Sequence, residues 1–323
     1  MSSEPEVQLL IGALERYSPT GSTSEIGKYL IDWCNEHGIE AEINSDMAVI
    51  NPKAKSLLML GHMDTVPGEI KVEHKNGALY GRGAADAKGP LCAALAAVQK
   101  HPELWDKICI IAAPDEEGES KAALFLRENW TERPSIILEP STWRGITISY
   151  MGRLGLECSI SCPPSHPGHQ KPFAAEELCK AWIDLKKEYL VRIKNIEGKD
   201  TEAKMSLDVR FRDGGADEIL SKLPKAINVK ILEKTLPYFA NKNTKLTRAF
   251  LQAIREINGT PVFKKKTGTS DMNVLGEKWK DAPMLAYGPG DGRLGHTDEE
   301  HISIDEYLKG IEVMEKALVH IFE

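Results

Sequence analysis

The chain has 323 residues, 41% hydrophobic and 28% charged, with a formal net charge of −7, long enough for two domains with a sizeable core in at least one. The acidic balance, with no basic stripe interleaved with aromatics, argues against a nucleic-acid partner, and no window reaches the ~18 apolar residues of a membrane span. The opening MSSEPEVQLLIGALERY has neither the basic nor the apolar region of a signal peptide, so a cytoplasmic location is expected.

Residues 3–37 read as two helices joined by YSPTGSTS, with Ser24 as an N-cap candidate. The strand-like segments AEINSDMAVI and SLLMLGH follow, then GALYGRGAADAKG and a small-residue helix from about Pro90 to Lys100. Next come KICIIAAPDEEGES, a helix over Lys121 to Asn129, and SIILEPST. KICIIAA and SIILEP are continuous apolar runs, as strands buried on both faces should be. Apolar runs alternating with helical patterns predict an α/β domain with a mostly parallel sheet covered by helices.

After Trp143 the pattern changes. ITISYMGRLGLECSISC reads as β structure, FAAEELCKAWIDLKKEYL as an amphipathic helix, LVRIKNIEG and TEAKMSLDVRFRDG as a hairpin, ADEILSKLPKAI as a helix and NVKILEK as a last strand. That order is a βαββαβ, ferredoxin-like α+β sandwich. It predicts an inserted domain over residues 148–236 within a domain made of residues 1–147 and 237–323. The α/β pattern then resumes with a helix over Lys245 to Ile257, VFKKKTGTSDMNVL, the strand-like PMLAYGPGDGRLGHTDEEHIS and a terminal helix from Asp305. Six cysteines (Cys34, Cys92, Cys109, Cys158, Cys162, Cys179) include no CxxC pair, which favours reduced, mostly buried thiols.

The chemistry gathers at strand ends. LLMLG runs into His62 and Asp64, CIIAAP into Asp115, Glu116 and Glu117, SIIL into Glu139, and MLAYGPGDGRLG into His296, while Asp86 opens the Ala-rich helix. In open α/β sheets the site lies beyond the carboxyl ends of the strands. Two histidines with several carboxylates suit two zinc-like ions, for which a shared carboxylate must bridge.

The pieces GHMDTVP, GRGAADAKG, DEEGE, LEPS and GHTDEEHI, in this order across most of the chain, resemble the di-zinc aminoacylase and carboxypeptidase family, which includes acetylornithine deacetylase and succinyl-diaminopimelate desuccinylase. The resemblance implies that His62 and Glu139 hold one metal ion, Glu117 and His296 the other, and that Asp86 bridges them. It implies that Asp64 fixes the geometry of His62 and that Glu116 is the general base toward the attacking water. Neighbouring residues on an extended segment point to opposite sides, which would let Glu116 and Glu117 take different roles. Zinc is the expected ion, and cobalt accepts the same ligands.

The insert resembles the family's lid, which commonly carries a homodimer contact. SHPGHQ stands where the family has a histidine reaching the tetrahedral intermediate across the dimer; His166 is preferred to His169. Arg210 matches an arginine near the substrate carboxylate. KTGTSDMNVL and AYGPGDGRLGHTDEEHI look most like the branch that frees lysine or ornithine from the C-terminal glutamate of an acidic amino-group carrier protein. In that branch Thr267 to Asp271 line the pocket, with Gly268 in the wall and Asp271 facing the cationic tail. An N-acetyl-lysine or N-acetylornithine deacetylase is the alternative enzyme, and a metal-free binding protein the alternative class. Lys264-Lys265-Lys266 and the lysines Lys194, Lys199 and Lys204 are candidate contacts for the carrier.

Overall fold

A computed structural model describes residues 4–164, 166 and 173–323. These fall into two compact units. The first runs to Ser149 and takes in Ala240–Lys265 and Val274–Glu323; the second comprises Tyr150–Phe239 and Lys266–Asn273.

In the first unit the sheet runs in the order Ala41–Asn44, Met47–Ile50, Ile108–Ala113, Leu57–His62, Ser135–Ile137, Met284–Ala286 and Gly145–Tyr150. The four strands Ile108–Ala113, Leu57–His62, Ser135–Ile137 and Met284–Ala286 are mutually parallel. Their neighbours on both sides, Met47–Ile50 and Gly145–Tyr150, are antiparallel to them. Every residue of Leu57–His62 and Ile108–Ala113 is buried, which is why their sequences are continuous rather than alternating. Parallel direction puts the carboxyl ends of all four central strands on one edge.

Helices cover this sheet. Lys88–Gln99 begins two residues before the predicted start at Pro90 and is buried from Lys88 through Val98. Its alanines leave room for the helices Pro5–Leu14 and Ile304–Phe322 to pack closely on it. Ser24 is the first residue of Ser24–Glu36 rather than its cap; Thr23 holds the N-cap position without a side-chain cap bond. The stretch 283–303, read as one strand, is two short ones, Met284–Ala286 and His301–Ser303, separated by turns. His301–Ser303 joins a small antiparallel sheet with Ala78–Tyr80 and Glu73–Lys75.

The second unit is a four-stranded antiparallel sheet in the order Leu190–Gly198, Glu202–Phe211, Gly152–Ser161, Asn228–Thr235. Burial alternates along Gly152–Ser161, the period of a sheet covered on one face. Leu154, Leu156, Cys158 and Ile160 share a core with Leu178, Ala181 and Leu185 of Ala174–Leu185 and Ile219 of Ala216–Ser221. The short segment Lys266–Asn273 is held in this unit by Asn273, whose Nδ2 donates to the carbonyls of Met151 (3.1 Å) and Leu236 (2.8 Å). Nothing in the sequence pattern assigns that segment away from its neighbours.

Gly61, just before His62, lies against Leu138; a Cβ built on it would come within 2.9 Å of the Leu138 Cβ. Gly61→Ala should therefore overpack two adjacent parallel strands and lower stability by about 1–3 kcal/mol. Chemical denaturation measures this, and an unchanged midpoint would show that the strands are not closely packed there.

Candidate metal centre

Main-chain direction alone brings the first ligand candidates together. His62 is the last residue of Leu57–His62, Glu117 lies four residues beyond Ala113, and Glu139 two beyond Ile137. His296 is different: it lies ten residues past Ala286 in a turn and has a left-handed backbone, φ 63°.

Asp86 stands between the two imidazoles. One carboxylate oxygen is 3.6 Å from His62 Nε2 and the other 3.6 Å from His296 Nε2. His62 Nε2 is also 3.9 Å from Glu139, and His296 Nε2 is 2.7 Å from Glu117. Two sets thus share Asp86, His62–Asp86–Glu139 and Asp86–Glu117–His296, each offering ligand atoms within 4.8 Å of one another. A third set, His62–Glu116–Glu117, meets the same limit. Residues 116–119 form a turn rather than an extended segment, so both glutamate side chains reach the centre instead of facing opposite ways.

The donor set fits a divalent cation. His62 Nδ1 lies 2.9 Å from the main-chain carbonyl of Asp64; a carbonyl only accepts, so Nδ1 carries a proton and Nε2 is the nitrogen left for an ion. Nε2 is buried and has no hydrogen-bond partner among the described residues, a costly state that an ion relieves. Burial opposes charge on this ring, yet the carboxylates of Asp64, Asp86 and Glu116 outweigh it and hold its pKa well above the usual histidine value. Glu117 does the same for His296 against partial burial, with help from Asp86. The surroundings demand positive charge, and imidazole with carboxylate is the ligand chemistry of zinc and its neighbours.

Asp64 is the hub behind these groups. Fully buried, it accepts from the main-chain N–H of Glu116 (3.0 Å) and Glu117 (3.2 Å) and from Thr20 Oγ1 (2.7 Å), and it lies 3.5 Å from His62 Nδ1. Burial raises its pKa, but the hydrogen bonds from His62, Thr20 and Glu116 bring it below the ordinary aspartate value. One carboxylate therefore orients the imidazole and fixes the turn carrying both glutamates.

Arg82 and Glu300 were not singled out by the sequence. They form a buried ion pair at 2.9 Å. Glu300 also accepts from the main-chain N–H of Ala85 (3.1 Å) and Asp86 (2.9 Å), while Arg82 donates to the carbonyls of Gly68 (2.7 Å) and Thr297 (2.9 Å). Both residues sit inside motifs already noted, GRGAADAKG and GHTDEEHI, but a charged residue in a loop carries no signal that it will be buried. Lys88 is likewise fully buried, closing the end of the helix Pro5–Leu14 by donating to the carbonyls of Ala13 (3.2 Å) and Arg16 (2.8 Å), and burial lowers its pKa to about 8.

The substrate-binding candidates lie in the second unit. Arg210 and Gly268 line a cavity of about 530 Å³ together with Thr267, Lys186, Arg192 and Lys194. Arg210 Nε donates to Asp208 (2.7 Å), while Arg210 Nη1 is buried without a hydrogen-bond partner among the described residues. Asp271 is buried at the start of the short helix Asp271–Gly276. His166 is exposed, and His169 lies outside the described residues.

An α/β domain that gathers imidazoles and carboxylates around one aspartate at its strand ends is the framework of a metallopeptidase. Residues 58–320 match peptidase family M20/M25/M40, and the chain belongs to that family; it is a hydrolase acting on amide bonds. The chain is 32% identical to the LysW-lysine hydrolase of Deinococcus radiodurans, over 99% of both chains. It is 31% identical to the LysW-lysine/LysW-ornithine hydrolase of Sulfurisphaera tokodaii, over 93% of this chain and 90% of that one. Among solved structures, the aminopeptidase PepT of Bacillus cereus aligns with a TM-score of 0.81 and 18% identity over 100% of both chains. A metallo-carboxypeptidase of Sulfolobus solfataricus aligns at 0.76 and 17%, over 99% of this chain and 100% of that one.

Because Asp64 accepts from both glutamate N–H groups, Asp64→Asn should cost about 10- to 100-fold in divalent-ion affinity. Thr20→Ala, which removes one of its partners and leaves the carboxylate, should cost less. Equilibrium dialysis against zinc ranks the two, and equal affinities for wild type and Asp64→Asn would remove Asp64 from the centre.

Proposed function

We propose that the protein hydrolyses the amide linking L-lysine or L-ornithine to the C-terminal glutamate of an amino-group carrier protein, in lysine and arginine biosynthesis, using two divalent ions. The observation that carries this reading is Asp86, shared between two ligand sets with one oxygen toward each histidine. The substrate follows from the relatives whose names specify LysW-linked lysine and ornithine.

His62 and Glu139 would hold one ion and Glu117 and His296 the other, with Asp86 between; zinc is preferred and cobalt acceptable. Ions bound there supply a polarised water and a polarised scissile carbonyl. Glu116 takes the proton released as the water attacks and passes it to the departing amine. Asp64 keeps Glu116 in place through its main-chain N–H. Arg210 receives a substrate carboxylate, for which its buried, unsatisfied Nη1 is suited. Asp271 takes the cationic tail, Gly268 contributes to the wall, and His166 reaches the tetrahedral intermediate. The second unit is assigned the roles of lid and homodimer contact, and the location is cytoplasmic; no helix among the described residues is long and apolar enough to cross a membrane.

An acidic carrier also suits the charge around the cavity. The one carboxylate among its described lining residues, Asp208, is already engaged by Arg153 (2.8 Å) and Arg210 (2.7 Å), leaving Lys186, Arg192 and Lys194 as net positive lining. Of the lysines considered on these strands, Lys194 lines the cavity, whereas Lys204 stands opposite Glu197 in the strand register.

The division of labour between adjacent glutamates is testable. Glu116→Gln should retain both ions and lose at least about 10²- to 10⁴-fold in turnover, while Glu117→Gln should lose an ion as well. Metal analysis beside a turnover assay decides; equal ion loss in both variants would make Glu116 a ligand.

The substrate is tested by product release from carrier-linked and N-acetyl substrates side by side. Exposed charges steer less as the Debye length falls from about 10 Å at 0.1 M salt to about 3 Å at 1 M. kcat/KM for the carrier-linked amino acid should fall steeply with salt, and that for N-acetyl-lysine should change little. Replacing Lys264, Lys265 and Lys266 by glutamate should reproduce the selective loss at low salt. Equal salt dependence for both substrates would make the protein a small-molecule deacylase.

A further inference from the structure

The two ligand sets around Asp86 are supported by different kinds of structure. His62 ends a buried central strand, and Glu139 lies two residues beyond another that is hydrogen-bonded to it. The sheet itself sets their separation. Glu117 and His296 both sit in turns, and His296 has φ 63°. A left-handed backbone is strained for a residue with a Cβ, so neighbouring groups must hold it. Something other than the sheet has to bring the 290–300 loop against Asp86 and keep it there.

The contacts that meet this need converge on Arg82 and Glu300. The small antiparallel sheet pairs His301 with Tyr80, and the Gly81 N–H reaches the Glu300 carbonyl at 3.3 Å. This pairing sets Glu300 beside Arg82. From there the Glu300 carboxylate accepts from the Asp86 N–H, and the Arg82 guanidinium grips the carbonyl of Thr297, the residue after His296. The approach is close: a Cβ on Gly295 would fall 2.7 Å from an Asp86 carboxylate oxygen. Both charged groups are almost fully buried, 4% and 1% exposed. A buried pair such as this is weak evidence for stability by itself, which makes a purely structural purpose a poor account of its placement.

We propose that Arg82 and Glu300 are positioning residues that set the distance between Asp86 and His296, and so govern the affinity of the Asp86–Glu117–His296 set for its ion far more than that of the His62–Asp86–Glu139 set, whose other two members are held by the sheet. The inference rests on the reading that both sets hold ions. The pair touches neither substrate nor ion. It acts through the main chain on each side of the gap, Asp86 N–H on one and Thr297 C=O on the other. Lysine at position 82 would keep the charge but lose the fork that reaches Gly68, Thr297 and Glu300 together. Glutamine at 300 would keep the shape while losing the charge that Arg82 faces.

The test is calorimetric titration of zinc into the metal-free full chain, for wild type, Arg82→Lys and Glu300→Gln, with the thermal midpoint of each metal-free protein measured alongside. Wild type should take up two ions. Each variant should bind the first ion with close to wild-type affinity and the second about 10- to 100-fold more weakly, the usual consequence of removing groups that orient ligands. A lysine variant that folds keeps the proposal testable should the glutamine variant not. Weakening of both ions in parallel, with a matching drop in the metal-free midpoint, would show a merely structural pair and overturn the inference. So would two ions bound at unchanged affinity. A wild type that binds no ion would overturn the metal reading and this inference together.

Discussion

Repulsion is the constraint around which the first unit is arranged. Asp86, Glu116, Glu117 and Glu139 all bring carboxylate oxygens within 4.8 Å of an imidazole nitrogen in the same small volume. Two like charges ~4 Å apart repel by about 4 kcal/mol at the effective dielectric near a protein surface, and several such pairs coexist here. The raised basicity of His62 and His296 is the visible response to this field. A fold that assembles such a cluster needs cations in it, and it needs scaffolding strong enough to assemble it beforehand.

Two kinds of scaffolding do this. Parallel strands buried on both faces bring their ends to one edge, which suffices for residues at or just past a strand terminus. Turns need separate anchoring, and buried charged groups supply it. Asp64 gathers the N–H groups of Glu116 and Glu117; Glu300 gathers those of Ala85 and Asp86. In both cases a carboxylate organises main-chain donors, so the side chains destined for the centre stay available for it.

The second unit has the opposite electrostatics. Its cavity is lined by Lys186, Arg192, Lys194 and Arg210, with Asp208 as the carboxylate among its lining residues. Asp208 aligns Arg210 through Nε and leaves Nη1 buried, with no hydrogen-bond partner among the described residues.

Much of this was determined by the sequence alone. Continuous apolar runs such as KICIIAA, too short for helices and set between loop residues, read as strands buried on both faces, and the βαββαβ order of the insert follows from periodicity. The polar residues placed just after those runs had to share an edge once the strands were parallel, which is why His62, Glu117 and Glu139 were legible as one cluster. What required the tertiary structure is whatever depends on turns. The 115–119 stretch reads as if extended, yet it turns and brings both glutamates inward, because Asp64 holds two consecutive N–H groups that an extended strand would send to opposite sides. His296 lies ten residues from its strand, so only the loop's path places it. The partnership of Arg82 with Glu300, 218 residues apart, leaves no trace in composition or spacing, since long-range pairing of buried charge is decided by which loops the packed sheet brings side by side.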